Sequence, residues 1–147
     1  MGLANLFSRK KNEPTELEKK IQFLKAFCKL WADFFEDFFS ESLEGKTIDP
    51  QDEEAFFKTM TVLATRTFEL KARLEKEFKD PERIINYLAQ IVSLANLQTM
   101  SEAEFSSMQT RWHEIFISLN KSMGKLLQQL PVDSQGMRKD SPFSRAA

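Results

Sequence analysis

Two side chains in this sequence stand out as potential ligands or nucleophiles, because each is the only one of its type. His113 is the single histidine and Cys28 the single cysteine. A tetrahedral zinc site needs several such ligands. A di-iron site in a helical bundle needs two Glu-x-x-His pairs, whereas the residue three positions before His113 is threonine. We therefore predict no metal site and no cofactor, and we interpret His113 as a surface or interfacial residue.

The rest of the sequence lacks the patterns that catalysis requires. Cys28 lies on an apolar helical stripe with no identifiable base, so we interpret it as a small core residue. Gly124 stands next to Lys125 without the other glycines of a phosphate-binding loop. Adjacent acids such as Glu36 and Asp37 lie about 100° apart around a helix, unlike an acid–base pair. We predict a protein that is not an enzyme and has no catalytic residues.

Length and composition limit the class of protein further. A chain of 147 residues has the size of one domain with a single core. Its net charge of −1 argues against a nucleic-acid partner, since such proteins usually carry a basic excess. A single cysteine forms no internal disulfide, and no apolar run reaches the roughly 18–20 residues of a membrane span. These features predict a cytoplasmic protein.

Apolar residues recur at spacings of three and four, which predicts amphipathic helices. The first series comprises Leu17, Ile21, Leu24, Cys28, Trp31, Phe35 and Phe38. The second comprises Phe56, Met60, Leu63, Thr67, Leu70 and Leu74. Start and stop signals bound four predicted helices, at about 15–43, 50–79, 81–98 and 101–130.

The boundaries rest on capping residues. Thr15 and Ser101 are each followed three positions later by glutamate, as in a capping box. Asp-Pro pairs at 49–50 and 80–81 place a capping side chain before a proline at the first helical position. Gly45 suits the left-handed residue that often follows a helix.

We expect an all-α protein with four antiparallel helices in an up-and-down bundle. Because the third helix is short, at about 27 Å against 40–45 Å for the first two, we expect the hairpin of the first two helices to project beyond it. One continuous helix over 81–130 is the alternative, since residues 96–104 contain neither glycine nor proline. Outside the bundle at 15–130, we expect an amphipathic leader at 1–14 and a disordered tail at 131–147.

The leader has the composition of an interfacial membrane anchor. Its apolar residues are followed at once by bases, and the membrane-binding set is Leu3, Leu6, Phe7, Arg9, Lys10 and Lys11. Apolar side chains of this kind enter the acyl boundary while bases contact anionic headgroups. Within residues 1–12, the stretch Leu6-Phe7-Ser8-Arg9-Lys10-Lys11-Asn12 resembles the N-terminal membrane-targeting peptide of the bacterial division-site factor MinE.

The resemblance implies attachment to an anionic membrane and nothing more. The helical body from Thr15 onward does not resemble MinE, whose core is a mixed α/β domain, so no division-site function is implied. The alternative is a disordered leader without a binding role.

Phenylalanine is the outstanding feature of the composition, with 14 copies. Six aromatic residues gather where the first two predicted helices meet, and we expect them to bind a protein partner or a second copy in a homodimer. They are Trp31, Phe35, Phe38, Phe39, Phe56 and Phe57. The alternative places them in the core of the monomer.

Together these features predict a non-enzymatic helical adaptor or assembly protein that acts through an aromatic surface. Its leader would attach it peripherally to the inner face of a membrane. One alternative is a small export or assembly chaperone that shields a partner's apolar helix. Another is a sensor domain that binds lipid or haem between its helices.

Overall fold

The computed structural model describes residues 13–131, and all regular secondary structure in this part of the chain is helical, without a β-strand. The all-α prediction is therefore confirmed. Five helices make up the described range: α1 (Glu16–Phe38), α2 (Pro50–Arg73), α3 (Glu82–Ala89), α4 (Leu94–Thr99) and α5 (Glu102–Gln128). Residues 1–12 and 132–147, which hold nearly all of the predicted leader and tail, lie outside the described residues.

Capping side chains begin the three long helices where the sequence places them. Thr15 Oγ1 accepts a hydrogen bond from the Glu18 N–H at 3.1 Å. Ser101 Oγ accepts one from the Glu104 N–H at 3.1 Å, at the start of α5. Asp49 and Asp52 form the equivalent reciprocal pair at the start of α2, on either side of Pro50. Each pair satisfies backbone donors that a helix start leaves free.

Helix α1 ends at Phe38, five residues before the predicted end at 43. The hydroxyl of Ser40 donates to the Glu36 carbonyl at 2.8 Å, in the place of the backbone N–H that a continued helix would supply. Gly45 has the predicted positive φ of 76°, but it belongs to the loop between α1 and α2.

Helix α2 ends at Arg73 rather than at the predicted residue 79. Leu74 and Phe78 are buried hydrophobic residues of the core, and Glu77 is buried beside them. The hydroxyl of Ser122 in α5 donates to the Glu77 carbonyl at 2.8 Å, so this segment contacts α5 after the helix ends.

The predicted third helix over 81–98 is two helices, α3 and α4, with a break at residues 90–93. In a continuous helix Leu97 would lie about 140° away from Ile84, off the buried face. The break changes the orientation of α4, so that Leu94 and Leu97 are buried and Ala95 is exposed. Ser93 caps the new helix by accepting a hydrogen bond from the Asn96 N–H at 3.0 Å. A second break separates α4 from α5, so the continuous-helix alternative is wrong.

Helix α1 lies antiparallel to both α2 and α5. Near its start, the guanidinium carbon of Arg73 in α2 lies 5.2 Å from the centre of the Phe23 ring. Near its end, Phe38 contacts Phe56 at the beginning of α2, and Phe39 contacts Phe105 at the beginning of α5. The core therefore runs along the whole of α1.

The far end of the α1–α2 hairpin is covered, which corrects the expectation that it projects. Gln109 of α5 donates from Nε2 to the Phe39 carbonyl at 2.6 Å. Gln98 of α4 donates from Nε2 to the carbonyls of Leu43 and Lys46, at 2.9 and 2.6 Å. The physical reason is that α4 follows the short α3 and brings the Gln98 amide onto the loop, while the Gln109 amide reaches the end of α1 from α5.

Candidate interaction surface

The six aromatic residues predicted to bind a partner divide into three groups. Trp31, Phe39 and Phe56 are buried in the core. Phe35 and Phe38 are half-buried and pack against that core. Phe57 is 70% exposed. The structure therefore brings five of the six together inside the molecule or at its edge, and it leaves one pointing outward.

Stacking between α1 and α5 explains why so many of these rings are covered. The Trp31 and Trp112 rings are parallel within 3°, with centroids 5.9 Å apart. Phe35 contacts Trp112 with a centroid distance of 4.5 Å, and Phe39 stacks on Phe105 at 5.9 Å. The expectation of an uncovered aromatic end is corrected for three residues. Rings of α5 cover Trp31 and Phe39, and Phe34 and Phe38 of α1 cover Phe56.

A different apolar surface remains open on the outer side of α2. Phe57 is 70% exposed and Phe68 is 64% exposed. The spacing of 57, 61, 64 and 68 by four, three and four residues places one narrow face of the helix outward. We call this face the α2 stripe. It consists of the exposed residues Phe57, Thr61 and Phe68 and of Ala64, which is partly buried where the face borders the core.

Small side chains fill the centre of the α2 stripe, between its two rings. Thr61 donates its hydroxyl to the Phe57 carbonyl at 2.9 Å, so its polar group is satisfied within the helix. Ala64 carries only a methyl group. Phe57 and Phe68 lie about 16 Å apart along the helix axis. The stripe is therefore apolar along three turns, with large side chains at both ends and a shallow middle.

Phe68 was absent from the predicted site, although a signal for it was present. The buried series of α2 includes Thr67 and Leu70, and Phe68 falls between them, about 100° away from Thr67 around the helix. A phenylalanine that lies outside the buried series of its helix is expected to be exposed to solvent.

Charged residues border the α2 stripe at its two ends. Glu54 lies one turn before Phe57 and pairs with Lys58 at 3.5 Å. Lys71 lies one turn after Phe68 and pairs with Glu82 at 2.9 Å. All four side chains are more than half exposed, so solvent screens both ion pairs and each is easily exchanged. An acidic residue, Glu54, therefore flanks the apolar face at one end, and a basic residue, Lys71, flanks it at the other.

A groove between α1 and α2 forms a second apolar surface. Its volume is about 480 Å³, and its lining includes Phe23, Phe27 and Leu30 of α1 and Arg66 of α2. Arg73 lies over the Phe23 ring at one end. Among the described residues Arg73 forms no ion pair, so its charge is free to meet a carboxylate.

The polar residues singled out in the sequence offer little chemistry. Burial raises the pKa of the Cys28 thiol to about 11, so the thiol is protonated and a poor nucleophile near neutral pH. His113 is exposed, with its ring edge-on to Trp112 at 4.9 Å. Within residues 13–131 no three His, Cys, Asp or Glu side chains lie close enough together to hold a metal ion.

The residues predicted to bind a membrane are not among those described. Leu3, Leu6, Phe7, Arg9, Lys10 and Lys11 all fall within residues 1–12. In the range that the structure does describe, no helix has the length and apolar character to cross a membrane.

Comparisons of the chain with protein-family models, with curated proteins and with solved structures find no match.

Proposed function

We propose that this chain is a non-enzymatic assembly protein that docks on another polypeptide through the α2 stripe. The observation that supports the proposal is the exposure of Phe57 and Phe68 on one face of a single helix, while most of the other aromatic side chains pack inside. At about 200 Å² for a phenylalanine side chain, the two rings leave about 270 Å² of apolar surface in water. A patch of a few hundred Å² is the size at which functional surfaces are found.

We further propose that the α3–α4 pair takes the position of one helix in an up-and-down arrangement with α1, α2 and α5. Contacts of α2 with α1, α3 and α4 support this arrangement. In such a fold, α2 has neighbours on its buried side and none among the described residues on its outer side. The α2 stripe is then the side of the helix that remains for a partner.

Position-specific crosslinking in the native host tests this function. A photoreactive phenylalanine analogue replaces Phe57 or Phe68 in the full chain, and Ile117, which is 53% exposed on α5, provides a matched control position. We expect adducts with another polypeptide from positions 57 and 68 and few from 117. The adduct from position 57 should weaken when Phe68→Ser is added.

The mass of the adduct identifies the occupant of the α2 stripe. A product of twice the chain mass of 17.1 kDa indicates a second copy, and any other mass indicates a different chain. Crosslinks confined to one chain would mean that residues outside 13–131 cover the stripe. That result, or equal crosslinking from position 117, would contradict the proposed function.

The groove between α1 and α2 favours a second candidate, a chaperone that shields an amphipathic helix of its client. Phe23, Phe27 and Leu30 offer an apolar floor, and the unpaired Arg73 matches an acidic residue at the edge of such a helix. Substitution Leu30→Ser would then abolish client binding, while Phe68→Ser would leave it intact. The assembly function predicts the opposite result for these two variants.

We also propose that the leader attaches the protein peripherally to an anionic membrane, at its cytoplasmic face. Three apolar side chains contribute roughly 5–8 kcal/mol, and three bases add about 1 kcal/mol each. Ordering about ten residues costs on the order of 10 kcal/mol. One leader is therefore marginal, and two leaders on an assembled protein would bind far more tightly.

A further inference from the structure

We infer that the α2 stripe binds the α2 stripe of a second copy, with the two helices antiparallel. The inference rests on the proposed function and identifies the partner. The inference follows from a symmetry in the sequence of the exposed face of α2. Residues of matching character lie at equal distances on either side of the point between Val62 and Leu63.

Three pairs of positions show this symmetry. Thr61 and Ala64, the two small residues, lie nearest the midpoint. The exposed rings of Phe57 and Phe68 come next, one on each side. Glu54 and Lys71, which have opposite charges, are the outermost pair. The spacing from 54 to 71 alternates between three and four residues, as in the seam of two packed helices.

A two-fold axis through this midpoint would bring complementary residues together. A two-fold contact uses the same surface on both copies, so each residue meets the residue at the equal and opposite distance. Phe57 of one copy then packs against Phe68 of the other. The small residues at 61 and 64 meet at the axis, where helices need to approach closely. Every exposed ring of the stripe is covered in this arrangement.

Charge selects the antiparallel arrangement over the parallel one. In the antiparallel dimer Glu54 faces Lys71 of the other copy at both ends of the seam. A parallel dimer would instead place glutamate against glutamate and lysine against lysine, which is repulsive. The present partners, Lys58 and Glu82, hold these charges only in exposed ion pairs. Either pair can be exchanged for an intermolecular one at little cost.

The area available implies a weak dimer. The seam from 54 to 71 is about 26 Å long, and each copy contributes two exposed rings. The area that such a seam buries is at the low end of the range for specific interfaces, so we expect a Kd on the order of 10–100 µM. Such a dimer would assemble when the chain is concentrated, as at a membrane surface.

Cysteine crosslinking in the full chain tests the register. In a Cys28→Ser background, Glu54→Cys and Lys71→Cys are prepared separately and then mixed under mild oxidation. Two copies of residue 54 lie about 25 Å apart in the antiparallel dimer, which is too far for a disulfide. We therefore expect covalent dimers from the mixture and at least tenfold fewer from either variant alone. A parallel dimer would crosslink in the single variants.

Charge reversal gives an independent measurement by sedimentation velocity. Glu54→Lys or Lys71→Glu alone should weaken the dimer about five- to tenfold, because each creates two like-charged contacts. The double variant should restore wild-type association. In a parallel dimer neither single change would matter, since like charges already face each other.

The outcomes separate this inference from the proposed function. A chain that stays monomeric at several hundred micromolar, with no crosslink in the mixture, overturns self-association. Adducts of a different chain from positions 57 and 68 would then still support the assembly function. Absence of both kinds of product would contradict the two proposals together. Equal unfolding midpoints for all variants and the wild type show that loss of association is not loss of folding.

Discussion

Trp31 and Trp112 exchange hydrogen bonds across the contact between α1 and α5. Trp31 Nε1 donates to the Trp112 carbonyl at 3.2 Å, and Trp112 Nε1 donates to the Trp31 carbonyl at 3.0 Å. Both indole groups are buried, and an unpaired buried donor is costly. The reciprocal pair satisfies both donors only when these two residues are level with each other, so it fixes the register of α5 along α1.

We predict that Trp31→Phe lowers the free energy of unfolding by about 1–3 kcal/mol, and that Trp31→Ala lowers it by about 3–5 kcal/mol. The phenylalanine keeps a ring in the stack but loses the N–H donor and part of the volume. Urea unfolding followed by far-UV circular dichroism measures the change. Phe68→Leu, on the exposed stripe, is the control and should shift the midpoint very little. A similar loss in both variants would contradict the role of the pair.

The starts of the three long helices were predictable from the sequence because capping is local. Thr15 and Ser101 each need only a glutamate three residues later to form their capping boxes. The predicted cap at Asp80 is wrong, because Pro81 occupies the N-cap position of α3 and no side chain caps that helix. The helix ends were not predictable in the same way. The end of α1 depends on a hydrogen bond from Ser40, and on amides of α4 and α5 that come from far along the chain. Local pattern contains no information about those partners.

In the candidate site, too, features that depend on local sequence were predictable, and features that depend on distant segments were not. That Phe57 lies one position beyond the buried Phe56 follows from helical periodicity, and its exposure could be predicted. The burial of Phe39 could not, because its ring is covered by Phe105 and Tyr87 from distant segments. The break at Ser93, which creates α4, depends likewise on which leucines reach the core.

Glu53 fastens α4 to α2, and we predict that its removal loosens α4 locally. Its carboxylate accepts hydrogen bonds from the Leu94 N–H at 2.8 Å and the Ala95 N–H at 3.1 Å. These N–H groups belong to the first turn of α4, where a negative charge is favourable. In Glu53→Ala, amide hydrogens of residues 94–99 should exchange faster, while those of α5 change little.

The cost to global stability of Glu53→Ala should be about 1 kcal/mol, as for the loss of a helix cap. Glu54→Ala is the matched control, since Glu54 is the adjacent acid and, within residues 13–131, pairs with the exposed Lys58 rather than with α4. Hydrogen exchange measured by mass spectrometry compares the two variants. Uniform acceleration throughout the chain would show global destabilisation and contradict a local role.

Lys20 and Glu77 form an ion pair at 3.1 Å, and the Glu77 side chain is only 6% exposed. Burial by itself would raise the pKa of Glu77. The hydrogen bond and positive charge of Lys20, together with hydrogen bonds from backbone and from the Gln129 side chain, outweigh it, so the pKa lies below its ordinary value. A carboxyl group whose pKa is lowered by folding stabilises the protein above its unfolded-state pKa. That stabilisation is lost as the pH falls through the folded-state pKa.

We therefore predict that Lys20→Met destabilises the protein near pH 7 by about 1–3 kcal/mol, since it leaves a buried charge without its partner. The difference from wild type should shrink as the pH falls below the ordinary glutamate value of 4.5, because Glu77 becomes neutral in both proteins. Urea unfolding of both proteins across this pH range measures the difference in the free energy of unfolding. Lys29→Met, which breaks an exposed pair with Asp33, is the control and should show little effect at any pH.

We predict that the leader binds anionic membranes only when two copies are held together, and this coupling can be measured. We expect the full chain to sediment with liposomes that contain phosphatidylserine, and a chain without residues 2–12 to remain in the supernatant. Phe68→Ser should weaken membrane binding at least tenfold although it leaves the leader intact, because it removes the dimer that presents two leaders.

Liposomes of phosphatidylcholine alone control for charge, since the bases of the leader gain little without anionic headgroups. Ile117→Ser, at an exposed apolar position of α5 away from the α2 stripe, controls for the loss of one apolar side chain. Equal sedimentation of the intact and shortened chains would contradict the leader as an anchor. Equal sedimentation of wild type and Phe68→Ser, with the leader still required, would show that a single leader suffices and that assembly does not govern attachment.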